Sequence, residues 1–162
     1  MTCHASLPEP EVSVWLRLYI YGLHGFLTEI LFTAAWDFAL HQDWALSGCT
    51  SVWSLLIYSI GSLVVEKFYR TYYATVPILL RGLIYVAWIY LWEYTTGRIL
   101  RMYGACPWDY SERSYNLQGL ITLEYFPAWY SASLLTEQFL IHNVLYLSLY
   151  SQDNHNRLHQ KG

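Results

Sequence analysis

The chain has 162 residues, enough for one compact domain, with 55% hydrophobic and 13% charged residues and a net charge of −3. Charged residues are about half as frequent as the ~25% typical of soluble domains. Nine scattered basic residues leave no electrostatic footprint for nucleic acid.

Sixteen tyrosines and eight tryptophans favour a membrane–water interface, where a ring offers an apolar body and a polar tip. They also hold the mean hydropathy down to +0.21. Three cysteines, Cys3, Cys49 and Cys106, have neither metal-ligand spacing nor the density of a disulfide framework.

Residues 1–13 are acidic and carry Leu7-Pro8-Glu9-Pro10, unlike the basic start of a signal or transit peptide. They read as a flexible tail, and the first span as an uncleaved signal anchor. That span covers 14–36, about 33 Å of helix, which matches the hydrocarbon core of a bilayer. A short aromatic connection follows, then span two over 50–68. Pro77 suits the first turn of span three, 78–100. The longest connection, Met102 to Gln118, leads into span four over 119–147, with Pro127 as an expected kink. A polar C-terminal tail, 150–162, reads as disordered.

The fold class is therefore all-α membrane, a four-transmembrane-helix bundle over 14–149. With four spans both termini share one side. That side collects Arg17, Lys67, Arg70, Arg81, Arg157 and Lys161, against Arg98, Arg101 and Arg113 on the other. The positive-inside bias places both termini in the cytoplasm.

Span one carries Arg17, His24 and Glu29, which are costly in lipid unless they face a bundle interior and find partners. Arg81, Tyr85 and Glu93 repeat Arg17, Tyr21 and Glu29 at a constant offset of 64 residues. Gly48 and Glu66 repeat as Gly119 and Glu137 at an offset of 71. This pattern reads as two tandem helical hairpins, related by an axis along the membrane normal.

Arg17 and Arg81 begin their spans, and Glu66 and Glu137 end theirs, so all four lie near the cytoplasmic face. They are the expected structural ion pairs, since a guanidinium can take a carboxylate bidentately. Glu29 and Glu93 lie about 18 Å deeper. Arg17, Tyr21, His24, Gly25, Thr28 and Glu29 are read onto one face of span one. Glu29, Glu93 and His24 form the candidate intramembrane polar site: two carboxylates sharing a low-dielectric site hold one proton or one cation between them.

Arg98 and Glu124 are expected to pair on the outer side. The outer-loop motif Cys106, Pro107, Trp108, Asp109 and Tyr110 is expected to fold back over the bundle, with Asp109 capping backbone amides. Cys49 and Cys106 fall on that same side, within the reach of a disulfide if the geometry allows it.

No paired-histidine motif, Gly-rich phosphate loop or nucleophile elbow occurs, so no metal, no cofactor and no catalytic residue is expected. The expected partners are the lipid bilayer and either a second copy or another membrane protein, since four helices leave little room for a private pathway.

Four strings carry a resemblance: Gly48–Trp53, Trp88–Gly97, Ala105–Ser111 (A-C-P-W-D-Y-S) and Gly119–Tyr125 (G-L-I-T-L-E-Y). They resemble the vertebrate transmembrane protein 229 family over roughly residues 15–145. That family is in turn similar to bacterial membrane proteins labelled as ABC-transporter permeases. The resemblance implies a multi-pass membrane protein and transfers no catalytic residue. Two readings follow: a transport or accessory protein using the glutamate face, or a structural or regulatory subunit whose buried charges only fix helix packing.

Overall fold

In a computed structural model, Leu7 and residues 10–147 are described, and they are mostly helical. The expected C-terminal tail, 150–162, and most of residues 1–9 lie outside the described residues.

Helix α1, Val14–His41, starts at Ser13, whose hydroxyl accepts the Leu16 amide at 3.3 Å. It runs five residues past Trp36, where the sequence reading ended the span. The extension is held by polar residues: Asp37 meets His41 one turn on at 2.8 Å, and Gln42 closes the helix in a left-handed conformation.

The chain returns tightly. Thr33 Oγ1 donates to the Cys49 carbonyl and accepts the Cys49 amide, clipping the connection to α1. Gly48 sits so close that a Cβ there would lie 2.1 Å from the Ile30 carbonyl oxygen. Ser51 caps helix α2, Val52–Tyr72, and Pro77 caps helix α3, Ile78–Met102.

The fourth segment departs from a single span over 119–147. It opens with a two-stranded antiparallel hairpin, β1 Asn116–Leu117 and β2 Ile121–Thr122, turned through Gln118 and Gly119, both at positive φ. A helical rod follows: a 3₁₀ turn Leu123–Tyr125, helix α4 Phe126–Leu135, a π turn Thr136–Ile141 and helix α5 His142–Leu145. Pro127 lies in the first turn of α4, where its missing N–H costs nothing, and makes no kink.

Helix α1 packs along α2 and α3 along α4, with α2 joining the pairs. The core sits near the Arg17 end, built from Tyr21, Val65, Tyr69, Tyr85, Ile141, Val144 and Leu145. Val12, within the expected flexible tail, is buried in the same cluster.

The outside of the bundle is apolar: Val52, Leu31, Phe139 and Leu79 are 63–78% exposed. Helices α1 and α2 are long and apolar enough to cross a membrane, yet only 17% and 28% of their most apolar stretches are buried. The core helix of a soluble protein would be mostly covered. These helices present their apolar faces outward, as lipid contact requires.

Candidate functional site

Positions four apart form a ridge along a helix, because each step turns it by only about 40°. On α1 that ridge is Arg17, Tyr21, Gly25, Glu29 and Thr33, and on α3 it is Arg81, Tyr85, Ile89, Glu93 and Gly97. Each ridge begins with the same triad. Arg17 Nη1 pairs with Glu66 Oε1, while the Tyr21 hydroxyl donates to Glu66 Oε2 at 2.7 Å. Arg81 donates to both oxygens of Glu137 at 2.6 and 2.8 Å, and the Tyr85 hydroxyl also donates to Glu137.

In each triad the carboxylate, fully enclosed, is balanced by one guanidinium and one phenol. The second arginine is held more completely. Its Nη1 donates to the Tyr73 and Val76 carbonyls, and it stacks on the Tyr69 and Tyr73 rings. Arg17 leaves its buried Nε without a partner.

Further along both ridges, Glu29 and Glu93 meet different company. Gly25 lets the Tyr58 ring lie flush against α1, where a Cβ would fall 2.3 Å from Tyr58 Cγ. The Tyr58 hydroxyl then faces Glu29 and lies in the field of both glutamates. Two tryptophans of α3 pin this helix to α2 one turn apart. Trp88 Nε1 donates to the Gly61 carbonyl at 3.1 Å, and Trp92 Nε1 to the Ile57 carbonyl at 2.9 Å. Their anchoring sets Glu93 beside Tyr58, and the Glu29 and Glu93 charges act on each other.

From the loop, the Tyr110 hydroxyl donates to Glu93 Oε1 at 2.9 Å. Glu93 Oε2 is buried and has no hydrogen-bond partner. Three arginines pair with other carboxylates: Arg17 with Glu66, Arg81 with Glu137 and Arg113 with Glu124. Two carboxylates and two phenols in low dielectric can hold a proton or a small cation between them.

The structure does not bring His24 to this cluster. It stands five residues from Glu29, about 140° around the helix, on the exposed side of α1. Thr28 is exposed as well, so the polar face of α1 is the narrower ridge from Arg17 to Thr33.

Residues 103–122 cover the end of the bundle opposite Arg17 and Arg81. Trp108 packs on Gly97, where a Cβ would lie 3.0 Å from the indole, and its Nε1 donates to the Leu120 carbonyl. Asp109 accepts from the Ser111 amide and hydroxyl and lies 3.2 Å from Arg101; those Ser111 bonds first, then the guanidinium, hold its carboxyl below the usual aspartate range. Burial, then the Glu93 charge, pushes the Tyr110 phenol well above its ordinary value. Gly119 closes this loop at φ 65, with a Cβ position only 2.5 Å from Asp109 Oδ1.

Cys49 and Cys106 are free thiols, and Cys106 Sγ instead contacts the Trp108 carbonyl at 3.4 Å. Glu124 pairs with Arg113 at 3.8 Å rather than with Arg98, which reaches Tyr94 and Gln118.

Sequence reasoning missed Tyr58, and it placed Tyr110 in the outer-loop motif without its bond to Glu93. The available signal was Gly25, a small residue on the same ridge as Glu29, which requires a large partner opposite.

A family model described as "Putative ABC-transporter type IV" matches residues 16–158. No solved structure matches the chain.

Proposed function

This chain belongs to that ABC-transporter type IV family, and from this membership we propose a multi-pass integral membrane protein of transport or accessory type. In this reading it is not an enzyme, and its polar intramembrane site is the cluster of Glu29, Tyr58, Glu93 and Tyr110. It crosses the bilayer four times as two repeated hairpins with both termini cytoplasmic. It works with a second copy or a partner membrane protein. Within the family we place it nearest the vertebrate transmembrane protein 229 proteins, on the four strings quoted above.

One contrast carries this reading. The cytoplasmic-side carboxylates are neutralised by arginines, whereas among the described residues Glu93 takes a phenol, Glu29 faces one, and Glu93 keeps a buried oxygen unsatisfied. A carboxylate kept only for packing would be expected to have both oxygens satisfied.

The second reading, a structural or regulatory subunit, draws on Arg81–Glu137, whose bonds leave nothing over for a ligand.

Glu29→Gln and Glu93→Gln, alone and together, separate the two. The readouts are thermal stability in detergent and proton or cation flux in liposomes. The expected outcome is unchanged or higher stability for Glu93→Gln, which keeps an acceptor for Tyr110, with flux lost. Flux that survives both substitutions leaves the structural reading standing.

A further inference from the structure

Outside the glutamate cluster, α1 and the outer loop frame an open cleft of about 610 Å³, a volume suited to a small polar group. Its walls are aromatic: Trp36, Trp108, Tyr110 and Tyr125. Arg113 is its basic residue, held between Trp36 and Tyr125 with ring centroids at 5.9 and 5.4 Å. Its Nη2 donates to the Tyr125 hydroxyl at 3.2 Å. Opposite in charge stand Glu124, 3.8 Å from Arg113 Nε, Glu112, exposed, and Asp109, already bonded to Ser111 and Arg101.

The chemistry narrows the ligand. A simple anion suits Arg113 but meets three carboxylates, Asp109, Glu112 and Glu124. A simple cation suits the rings and Glu112 but meets a guanidinium fixed in place. A molecule with both charges a few ångströms apart suits this mixed lining best, with phosphate on the Nη side of the guanidinium, away from Glu124, and ammonium against the rings and carboxylates.

Position narrows it further. Trp36 lies 19 residues beyond Arg17 on α1, about 28 Å along the axis and so near the opposite face of a ~30 Å hydrocarbon core. Exposed Trp44, Tyr103 and Tyr115 ring the same end, in the manner of an interfacial aromatic belt.

We propose that this cleft is a binding site for a phosphate–ammonium zwitterion, the headgroup chemistry of phosphocholine, with Arg113 holding the phosphate and Trp108, Tyr110 and Glu112 facing the ammonium. The proposal rests on the membrane placement given above and not on flux through Glu93. The same chemistry is offered by a bilayer lipid and by the free headgroup.

The full-length protein in detergent is titrated with phosphocholine, following its unfolding temperature, with choline and inorganic phosphate as separate controls. In a second arm it is placed in nanodiscs of mixed phosphatidylcholine and phosphatidylglycerol, and the lipid retained on extraction is identified. Phosphocholine is expected to raise the unfolding temperature saturably, each half-ligand binding at least about tenfold more weakly. Arg113→Gln is expected to weaken phosphocholine about tenfold while leaving cation flux intact. Trp36→Leu is expected to weaken it in step.

Binding of the free headgroup alone identifies a soluble ligand. Selective retention of phosphatidylcholine, lost in Arg113→Gln, identifies the lipid. No effect of phosphocholine together with no lipid selectivity overturns the proposal, as does equal binding by wild type and Arg113→Gln. Neither result bears on whether Glu93 carries flux.

Discussion

Arg17 and Arg81 hold equivalent places yet carry different loads. Arg81 spends its guanidinium on two carboxylate oxygens and two backbone carbonyls, between two tyrosine rings, whereas Arg17 reaches one carboxylate oxygen. Removing one partner of a buried ion pair strands the other charge, at about 3–5 kcal/mol. Glu137→Ala should therefore destabilise the protein by about that amount, and Glu66→Ala by less, in denaturant titrations of detergent-solubilised protein. Replacing both partners together, Arg81→Met with Glu137→Leu, should recover most of the loss, because no charge is left stranded. At this scale the sequence was highly legible. Charges that begin and end adjacent spans must share a depth, and counting residues groups Arg17, Arg81, Glu66 and Glu137; that Arg17 takes Glu66 and Arg81 takes Glu137 comes from the structure. The phenols were not legible. Tyr58 and Tyr110 are two of sixteen tyrosines, and nothing local separates a tyrosine that donates to a glutamate from one that only packs.

At the scale of elements, close approach is set by glycines. Gly25→Ala places a methyl group within the Tyr58 ring, so α1 and α2 must part or the ring must turn away from Glu29. The expected cost is about 1–3 kcal/mol. A loss of the Glu29–Tyr58 contact should accompany it, visible as a change in the infrared carboxylate band that Glu29→Gln abolishes. Apolar runs locate α1, α2 and α3 well, but they say little about where a helix stops. The last turn of α1 is held by Asp37, His41 and Gln42, polar residues that read as connection. The hairpin at 116–122 was hidden for a related reason. Two residues per strand give no alternation to detect, and Gly119 reads equally well as a span start or as a turn.

For the whole molecule, the chain's apolar exterior and its family membership agree on a membrane setting. The four-span reading makes a direct prediction about sidedness. Cys49 and Cys106 lie in the two connections at the same end of the bundle. In single-cysteine variants, a membrane-impermeant maleimide should label both from the same face of sealed vesicles. Labelling from opposite faces would remove the four-span topology. The candidate site was legible here only in part: the repeat pointed to Glu29 and Glu93, but His24 joined them on paper through a face drawn too wide. What brings the glutamates together is the pinning of α3 by Trp88 and Trp92, a contact between helices that a one-dimensional reading does not contain.

The unequal arginine anchorage also has a mechanical consequence. When a single molecule is drawn out of a bilayer by its N-terminal end, the charged latch of the first hairpin is a guanidinium on one carboxylate oxygen. The second has a clamp that ties α3, the connection before it and the π turn together. The force trace should therefore show a low first rupture and a markedly higher second one. In Arg81→Met with Glu137→Leu the second peak should fall to the level of the first.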